Sequence, residues 1–398
     1  MALDRTTITA DVAVVGGALV GSALALALAR TGLSTAIVEG RIAPLPTRGG
    51  EGESWDARVY AISPGSRNFL ERLGVWQALP AERVQPIHAM RVWGDDGQSC
   101  IAFDALECGL AELGYIVESR ELQDVLWRAI QQQPEIDHLC PAQCAALQLT
   151  DTGATLETAE GAQIAAALIV GADGAQSWVR SQAGLASEPR LYAHTAVVAN
   201  FATERPHGNI ARQWFRTDGV LAWLPLPGQQ ISMVWSAETA LAQALLRLAP
   251  EELCRRVAEA GGGLLGGLTL ITPAQGFPLR RLTVPQAVKS GVALVGDAAH
   301  VVHPLAGQGV NLGFRDARVL AEVLAGRAPS QPLYDGALLR RYERARREDW
   351  MVTERVTEGL YELFRPERVF LKGIRNFGLG LSDKAGWLKR RLISHAVS

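Results

Sequence analysis

The sequence predicts an α/β protein: a Rossmann-type dinucleotide-binding domain assembled from separated segments, an inserted antiparallel β-sheet domain and a C-terminal helical region. Three observations predict it. Strand-turn-helix segments suited to a nucleotide stand near the start, the middle and the three-quarter point of the 398 residues, so one domain must be built from distant pieces. Between the second and third lies a run of short β-branched and aromatic segments broken by turn residues. Beyond Gly326 the chain becomes rich in arginine and glutamate with helical spacing.

The first segment runs from the apolar strand Asp11-Val12-Ala13-Val14-Val15 into Gly16-Gly17-Ala18-Leu19-Val20-Gly21 and a helix over Ser22 to Arg30, and Ala36-Ile37-Val38 then ends at Glu39. In this context Gly16 makes a tight turn, Gly21 allows close helix packing, the helix N-terminus takes a pyrophosphate and Glu39 receives ribose hydroxyls. Ala18 departs from the pattern, which reads Gly-x-Ala-x-x-Gly. Its methyl stands where a second glycine normally brings the backbone to the pyrophosphate, with Gly17 beside it to relax the turn.

In the second segment the strand Ala167-Leu168-Ile169-Val170 leads into Gly171-Ala172-Asp173-Gly174 and then a helix that brings Ser177 and Arg180 to neighbouring turns. Arg180 is either a phosphate ligand or a solvated arginine of the first turn. The runs Ala196 to Phe201, Ala211 to Phe215, Val220 to Leu224 and Ile231 to Trp235, separated by Asp218-Gly219 and Pro227-Gly228, read as antiparallel strands. His88 to Phe103, turning at Asp95-Asp96-Gly97, adds a hairpin. The glycines from Gly261 to Gly267 lack a preceding strand and a following helix start, which makes them a flexible loop rather than a phosphate site.

The third segment carries the strongest signal. Val292-Ala293-Leu294-Val295 is a buried strand, Gly296-Asp297-Ala298-Ala299-His300 an acidic turn, and Pro304-Leu305-Ala306-Gly307-Gln308-Gly309-Val310-Asn311 a glycine-bearing loop before a helix over Leu312 to Leu324. An Asp at the carboxyl end of a strand accepts hydrogen bonds from sugar or ribityl hydroxyls, and Gly307 and Gly309 let backbone N–H groups approach a ring or phosphate.

This order of residues resembles the second flavin motif of the single-component FAD-dependent aromatic hydroxylases, and Gly171 to Arg180 resembles their Asp-Gly motif, which couples the flavin site to the nicotinamide donor. Two further stretches narrow the resemblance to the ubiquinone-biosynthesis hydroxylases, which share the 4-hydroxybenzoate hydroxylase-like fold. One is Asp56-Ala57-Arg58-Val59-Tyr60-Ala61-Ile62-Ser63-Pro64-Gly65-Ser66; the other is Glu118-Ser119-Arg120-Glu121-Leu122-Gln123, preceded by Gly114-Tyr115-Ile116-Val117. The similarity covers essentially the whole chain, including the tail from Leu371 to Ala396.

The resemblance implies FAD as cofactor, NAD(P)H and O2 as co-substrates, and a flavin hydroperoxide that hydroxylates the ring of a polyprenylated phenol or quinol. It assigns cofactor contacts to Gly16, Gly17, Ala18, Gly21 and Glu39, to Arg58, Arg120, Gln123 and Asp173, and to Asp297, Gly307, Gln308, Gly309 and Asn311. For Arg58 the alternative is an ion pair with Asp56, and for Arg120 and Gln123 a polar helix face. It further implies an FAD-binding domain over 1–80, 116–185 and 282–330, a substrate domain over 81–115 and 186–281, and a helical region over 331–398. Trp214, Phe215 and Trp223 are expected to wall the pocket. Tyr192, His194 and His207 fall in the substrate region, but no general base is assigned, because polar groups there are more often structural. His300 and His303 are expected to support the motif.

Composition narrows the function classes. A net charge of −2 offers no electrostatic footprint for nucleic acid, and 48% hydrophobic residues suffice for a large core. Cys100, Cys108, Cys140, Cys144 and Cys254 form no Cys-x-x-Cys pair, so free thiols in a cytoplasmic setting and no metal site are expected. No secretory leader or membrane span is expected either. The stretch from Trp387 to Val397 aligns Leu388, Leu392, Ile393 and Ala396 on one helical face beside basic residues. That face is an anchor at the inner membrane, a docking helix for other ubiquinone-biosynthesis proteins, or a terminal helix packed on its own domain. Competing functions are a hydroxylase of a small soluble aromatic acid, a flavin-holding scaffold subunit and a flavin-dependent prenyl reductase.

Overall fold

The computed structural model describes residues 7–41, 55–94, 99–302 and 309–363. Thr7–Val15, with its last four residues buried, forms the centre of the first sheet. It runs parallel to Gln163–Gly171 on one side and Thr35–Val38 on the other. Val292–Leu294 extends the parallel set beyond Gln163–Gly171, and Ile136–Leu139 extends it beyond Thr35–Val38. Segments far apart in sequence therefore share one sheet, and a hairpin of Cys144–Thr150 and Gly153–Thr158 is added antiparallel to Gln163–Gly171.

Eight helices are present among the described residues: α1 Leu19–Ala29, α2 Pro64–Arg72, α3 Ser119–Gln131, α4 Trp178–Gln182, α5 Thr239–Leu246, α6 Pro250–Ala260, α7 Gly309–Ala325 and α8 Gly336–Leu363. All but one residue of α1 is buried, because it packs beneath the sheet between α3 and α7. A helix apolar on every side belongs in a core, whereas α3, with Leu122, Val125, Leu126 and Ile130 on one stripe, covers that core from outside. Pro64 opens α2, and Ser63 accepts a hydrogen bond from the Ser66 N–H, a paired start signal.

The second sheet has nine strands in the order His300–Val301, Gln275–Thr283, Glu188–Thr203, Gln230–Glu238, Gly219–Leu226, Ile210–Arg216, Ala89–Trp93 and Cys100–Asp104, with Leu268–Leu270 paired beside Glu188–Thr203. The expected strands and hairpin are all in it. It is antiparallel except where Ile210–Arg216 meets Ala89–Trp93, a parallel pair joining chain segments more than a hundred residues apart. The Asp95-Asp96-Gly97 turn lies outside the described residues. A three-stranded sheet of Val59–Ile62, Gly114–Glu118 and Val84–Ile87 links the two larger ones.

Alternation along the strands separates the two faces of the nine-stranded sheet. Leu221, Trp223, Ile231, Met233 and Trp235 pack with Leu245 of α5 and Leu253 and Val257 of α6. The opposite face carries Val220, Ala222, Leu224 and Val234, all half-buried although they lie on central strands. The glycine cluster after α6 is packed rather than flexible at its start. A Cβ at Gly261 would lie 2.0 Å from the ring of Trp223.

Candidate functional site

Parallel strands deliver their carboxyl ends to one edge, and here that edge receives Gly16, Ala172-Asp173 and Gly296-Asp297 together. Gly16 has φ +103°, and a Cβ there would meet the Ala172 carbonyl oxygen at 2.5 Å. Gly21 is tighter still, with its Cβ position 1.9 Å from the Gly16 carbonyl oxygen. At Gly17 a side chain would collide with Glu39 and with the ring of Trp127, both at 2.9 Å. Packing alone requires glycine at these three positions.

Ala18 is different. It is the exposed N-terminal flank of α1, in extended conformation, with no side-chain cap on the helix. The first N–H groups of α1 therefore lack a capping side chain, and the alanine methyl projects outward from the turn.

The surrounding groups reinforce the turn rather than leaving it. The Gly17 N–H donates to Glu39 Oε2 at 2.7 Å, and the Gly17 carbonyl accepts from Ser22 Oγ at 2.7 Å and from Gln123 Nε2 at 2.8 Å. Gln123 thus reaches the fingerprint from α3. Arg120 does not pair as a free cation: its guanidinium Nε stands 3.6 Å from Asp56 Oδ2, and its backbone N–H donates to the same oxygen at 3.1 Å. Asp56 is therefore the partner of Arg120. Arg58 instead stacks over Tyr60 and Phe277 at 5.3 and 5.9 Å from the ring centroids.

Asp297 follows the Val292–Leu294 strand at its carboxyl end, is exposed to solvent, and stands within electrostatic reach of His300, Arg58 and Arg280. Burial pushes its carboxyl above the usual range, opposed by His300, Arg58 and Arg280. Tyr60 is close enough for the Asp297 charge to act on it, its phenol pushed up by burial and opposed by Arg58 and a hydrogen bond with Ser119. Phe277, 37% exposed, meets Arg58 from the nine-stranded sheet.

Asp173 accepts the Val179 N–H on Oδ2 at 3.0 Å, while its Oδ1 is buried without a partner. Arg180 is buried and donates to the carbonyls of Ala298 at 2.9 Å and Ala175 at 2.8 Å. It ties the Asp-Gly loop to the Asp297 turn, so neither alternative for it, phosphate ligand or solvated arginine, describes its place. Asn311 is similarly engaged: Oδ1 accepts the Ser63 N–H at 2.9 Å and Nδ2 donates to the Ala61 carbonyl at 2.8 Å. Gly309 begins α7, and a Cβ there meets no described atom within 4 Å. Gly307, Gln308 and His303 lie outside the described residues.

Two expectations about the pocket are corrected. Trp214 and Trp223 belong to the helix-covered face, where they contact each other edge-on at 4.9 Å and Trp214 stacks on Trp93. They do not line the opposite, half-buried face of the sheet. Phe215, one residue on, turns to the opposite face with Ala196, Tyr192 and Leu279. His207 is structural: Nδ1 accepts the Asn209 N–H, so Nε2 carries the proton and donates to the carbonyls of Leu226 and Gly228 at 2.9 and 2.8 Å. Burial lowers its pKa and keeps it neutral. The Tyr192 hydroxyl donates to Glu358 at 2.7 Å.

Sequence reasoning missed a buried hub. Asp316 accepts Arg346 Nε at 2.8 Å and Trp350 Nε1 at 2.9 Å on Oδ1, and the Gly296 N–H at 3.0 Å on Oδ2. His300 Nε2 lies 2.6 Å from Oδ2 and, facing an acceptor, is the protonated nitrogen. Burial alone would raise the Asp316 carboxyl, but His300 and Arg346 hold it at about 2. The signal available in sequence was an Asp inside an apolar helix stripe, which needs a buried partner.

These features fit an FAD: an uncapped helix N-terminus for the pyrophosphate and an exposed carboxylate at a strand end for hydroxyls. Among the described residues no cluster of metal-ligating side chains occurs.

The profile of the FAD binding domain family matches residues 9–356. Over 388 residues the chain is 36% identical to the 3-demethoxyubiquinol 3-hydroxylase of Escherichia coli, covering 97% of this chain and 98% of that protein. It is 35% identical over 393 residues to the ubiquinone hydroxylase UbiL of Rhodospirillum rubrum, covering 98% and 89%. Among solved structures, p-nitrophenol 4-monooxygenase PnpA from Pseudomonas putida shares the fold, with a TM-score of 0.77 at 18% identity over 99% of both chains.

Proposed function

The chain belongs to the FAD binding domain family, and we propose that it hydroxylates the aromatic ring of a polyprenylated phenol or quinol in ubiquinone biosynthesis. It is an FAD-dependent aromatic-ring monooxygenase that takes NAD(P)H as co-substrate. The observation that carries the substrate class is near full-length similarity to two proteins named as hydroxylases of ubiquinone or a ubiquinol precursor.

Bound FAD supplies the oxygen-activating chemistry. The chain has to bind it, orient the ring and exclude water. We assign the pyrophosphate to the N-terminus of α1, with Gly16, Gly17 and Gly21 shaping the turn and Gln123 and Glu39 holding it. Asp297 would accept hydroxyls of the cofactor at the strand end. Asn311, Arg120 and Arg180 position the loops around it through the bonds described above. The substrate ring lies against the face carrying Ala222, Leu224 and Val234, whose half-open apolar surface suits a prenylated phenol better than a free acid.

Among the described residues no helix is long and apolar enough to cross a membrane. A lipid-tailed substrate nevertheless implies peripheral contact with a bilayer, and the C-terminal stretch from Trp387, outside the described residues, is the assigned contact. Truncation after Gly386 is expected to lower binding to anionic liposomes; unchanged binding would reject this assignment.

The function is tested by mass spectrometry of prenylated quinone intermediates in cells lacking the protein. Accumulation of one under-hydroxylated precursor with loss of ubiquinone is expected, and that precursor identifies the ring position. An unchanged quinone profile in cells with no second such hydroxylase would overturn the reading.

A further inference from the structure

Asp297 and the nine-stranded sheet are connected by more than proximity. The strand that leaves the Gly296–Ala299 turn, His300–Val301, is the edge strand of that sheet, with His300 paired to Thr283 and Val301 to Leu282. Thr283 Oγ1 donates to Glu354 Oε1 of α8 at 2.8 Å, and Arg281 forms an ion pair with the same oxygen. One turn earlier on α8, Trp350 donates to Asp316 at 2.9 Å, and Asp316 holds both His300 and the Gly296 N–H. The contacts close a circuit: Asp316, Trp350, Glu354, Thr283, His300 and back to Asp316.

The circuit is rigid by construction. Asp316 is wholly buried with four donors on its two oxygens, and Trp350 and Glu354 are separated by a single helical turn. Tyr342, also fully buried on α8, donates to the Leu294 carbonyl at 2.9 Å, so the same helix holds the strand that enters the turn. The α8 helix thus holds the entry of the Asp297 turn directly through Tyr342, reaches Gly296 and His300 through Asp316 of α7, and grips the nine-stranded sheet at Thr283 and Arg281.

We propose that Glu354 is a positioning residue for the FAD site, acting through Thr283–His300 on one side and Trp350–Asp316 on the other, so that the placement of the Asp297 turn and of the substrate-facing sheet is set by one helix. Glu354 itself need touch neither cofactor nor substrate. Its removal frees Thr283 from α8, leaves Arg281 only its contact with Glu358 of that helix, and lets the His300 strand shift, which loosens the turn that presents Asp297. The inference requires only that FAD binds and is independent of the substrate.

The test is FAD affinity of the full-length apoprotein, measured by quenching of flavin fluorescence, alongside its melting temperature. Glu354→Ala, which removes the acceptor for Thr283, is expected to raise the FAD Kd by about fivefold or more, the lower end of coupling between linked sites. Thr283→Val, which removes only the hydroxyl, is expected to act in the same direction, and Thr283→Ser, which keeps it, to stay within about twofold of wild type. By reciprocity, FAD binding should slow amide exchange at 281–283 and 352–356 in the wild-type protein. A merely structural role would lower the melting temperature while leaving the Kd in place. A Kd within about twofold of wild type for folded Thr283→Val, or a Thr283→Ser variant as weak as Thr283→Val, would overturn the proposal even if Glu354→Ala fails to fold.

Discussion

Gly21 packs against Gly16 so closely that a Cβ on the first would stand 1.9 Å from the carbonyl oxygen of the second. Helix α1 is thereby pressed onto the Gly16-Gly17 turn, and the contact is with backbone, which has little room to yield.

Gly21→Ala is accordingly expected to destabilise the protein by about 2 kcal/mol or more and to abolish FAD binding. Ala18→Gly is the counterpart. Because Ala18 is exposed and its methyl projects from the turn, that change is expected to alter the FAD Kd by less than about threefold, a few tenths of a kcal/mol being usual for surface sites. Fluorescence titration of both variants checks the pair.

Asp297→Asn separates binding from stability. Burial raises the Asp297 carboxyl above its unfolded value, so its ionised form at neutral pH costs the apoprotein stability that is present below the unfolded pKa and lost as pH rises through the folded one. The variant should therefore bind FAD poorly while its apoprotein melts no lower than wild type at pH 7. Normal flavin content after purification would remove Asp297 from the site.

Asp316 has the opposite sign. Its carboxyl is held at about 2, below the unfolded value, so its contribution is present above about pH 4 and is lost as pH falls towards 2. That contribution is on the order of 2 kcal/mol. Asp316→Asn should lose it at pH 7, and the acid limb of the stability profile should become shallower between pH 4 and 2. Urea titrations across that window measure it.

The two faces of the nine-stranded sheet should respond differently. Trp223→Ala empties the helix-covered core and is expected to cost about 3–5 kcal/mol with little change in KM among molecules that stay folded. Ala222→Phe adds bulk to the opposite, half-open face and is expected to raise KM several-fold at near-wild-type stability. Equal effects on KM would remove the pocket from this face.

Local chemistry made much of this molecule legible in sequence. The apolar runs before Gly16, Gly171 and Gly296 became parallel strands because β-branched, uncharged segments flanked by glycine turns suit the middle of a covered sheet, and the alternating runs from Ala196 to Trp235 became antiparallel strands. The glycines announced close backbone approach, and the structure supplies the atoms they avoid. Those signals need only neighbouring residues to be read.

What the tertiary structure alone decided depends on partners distant in the chain. Alternation shows that Trp214 and Phe215 face opposite ways but not which way is covered, and α5 and α6, added later in the chain, settle it. Asn311 stands at a helix start in the sequence, and only the fold brings its amide to the Ala61 carbonyl, 250 residues earlier. Arg180, open in sequence between a phosphate ligand and a solvated arginine, is buried by the fold against the Ala298 carbonyl, and Asp316, which no sequence motif singles out, receives His300, Arg346 and Trp350. A polar side chain is assigned its role by whatever satisfies it once water is gone, and only the folded chain determines that.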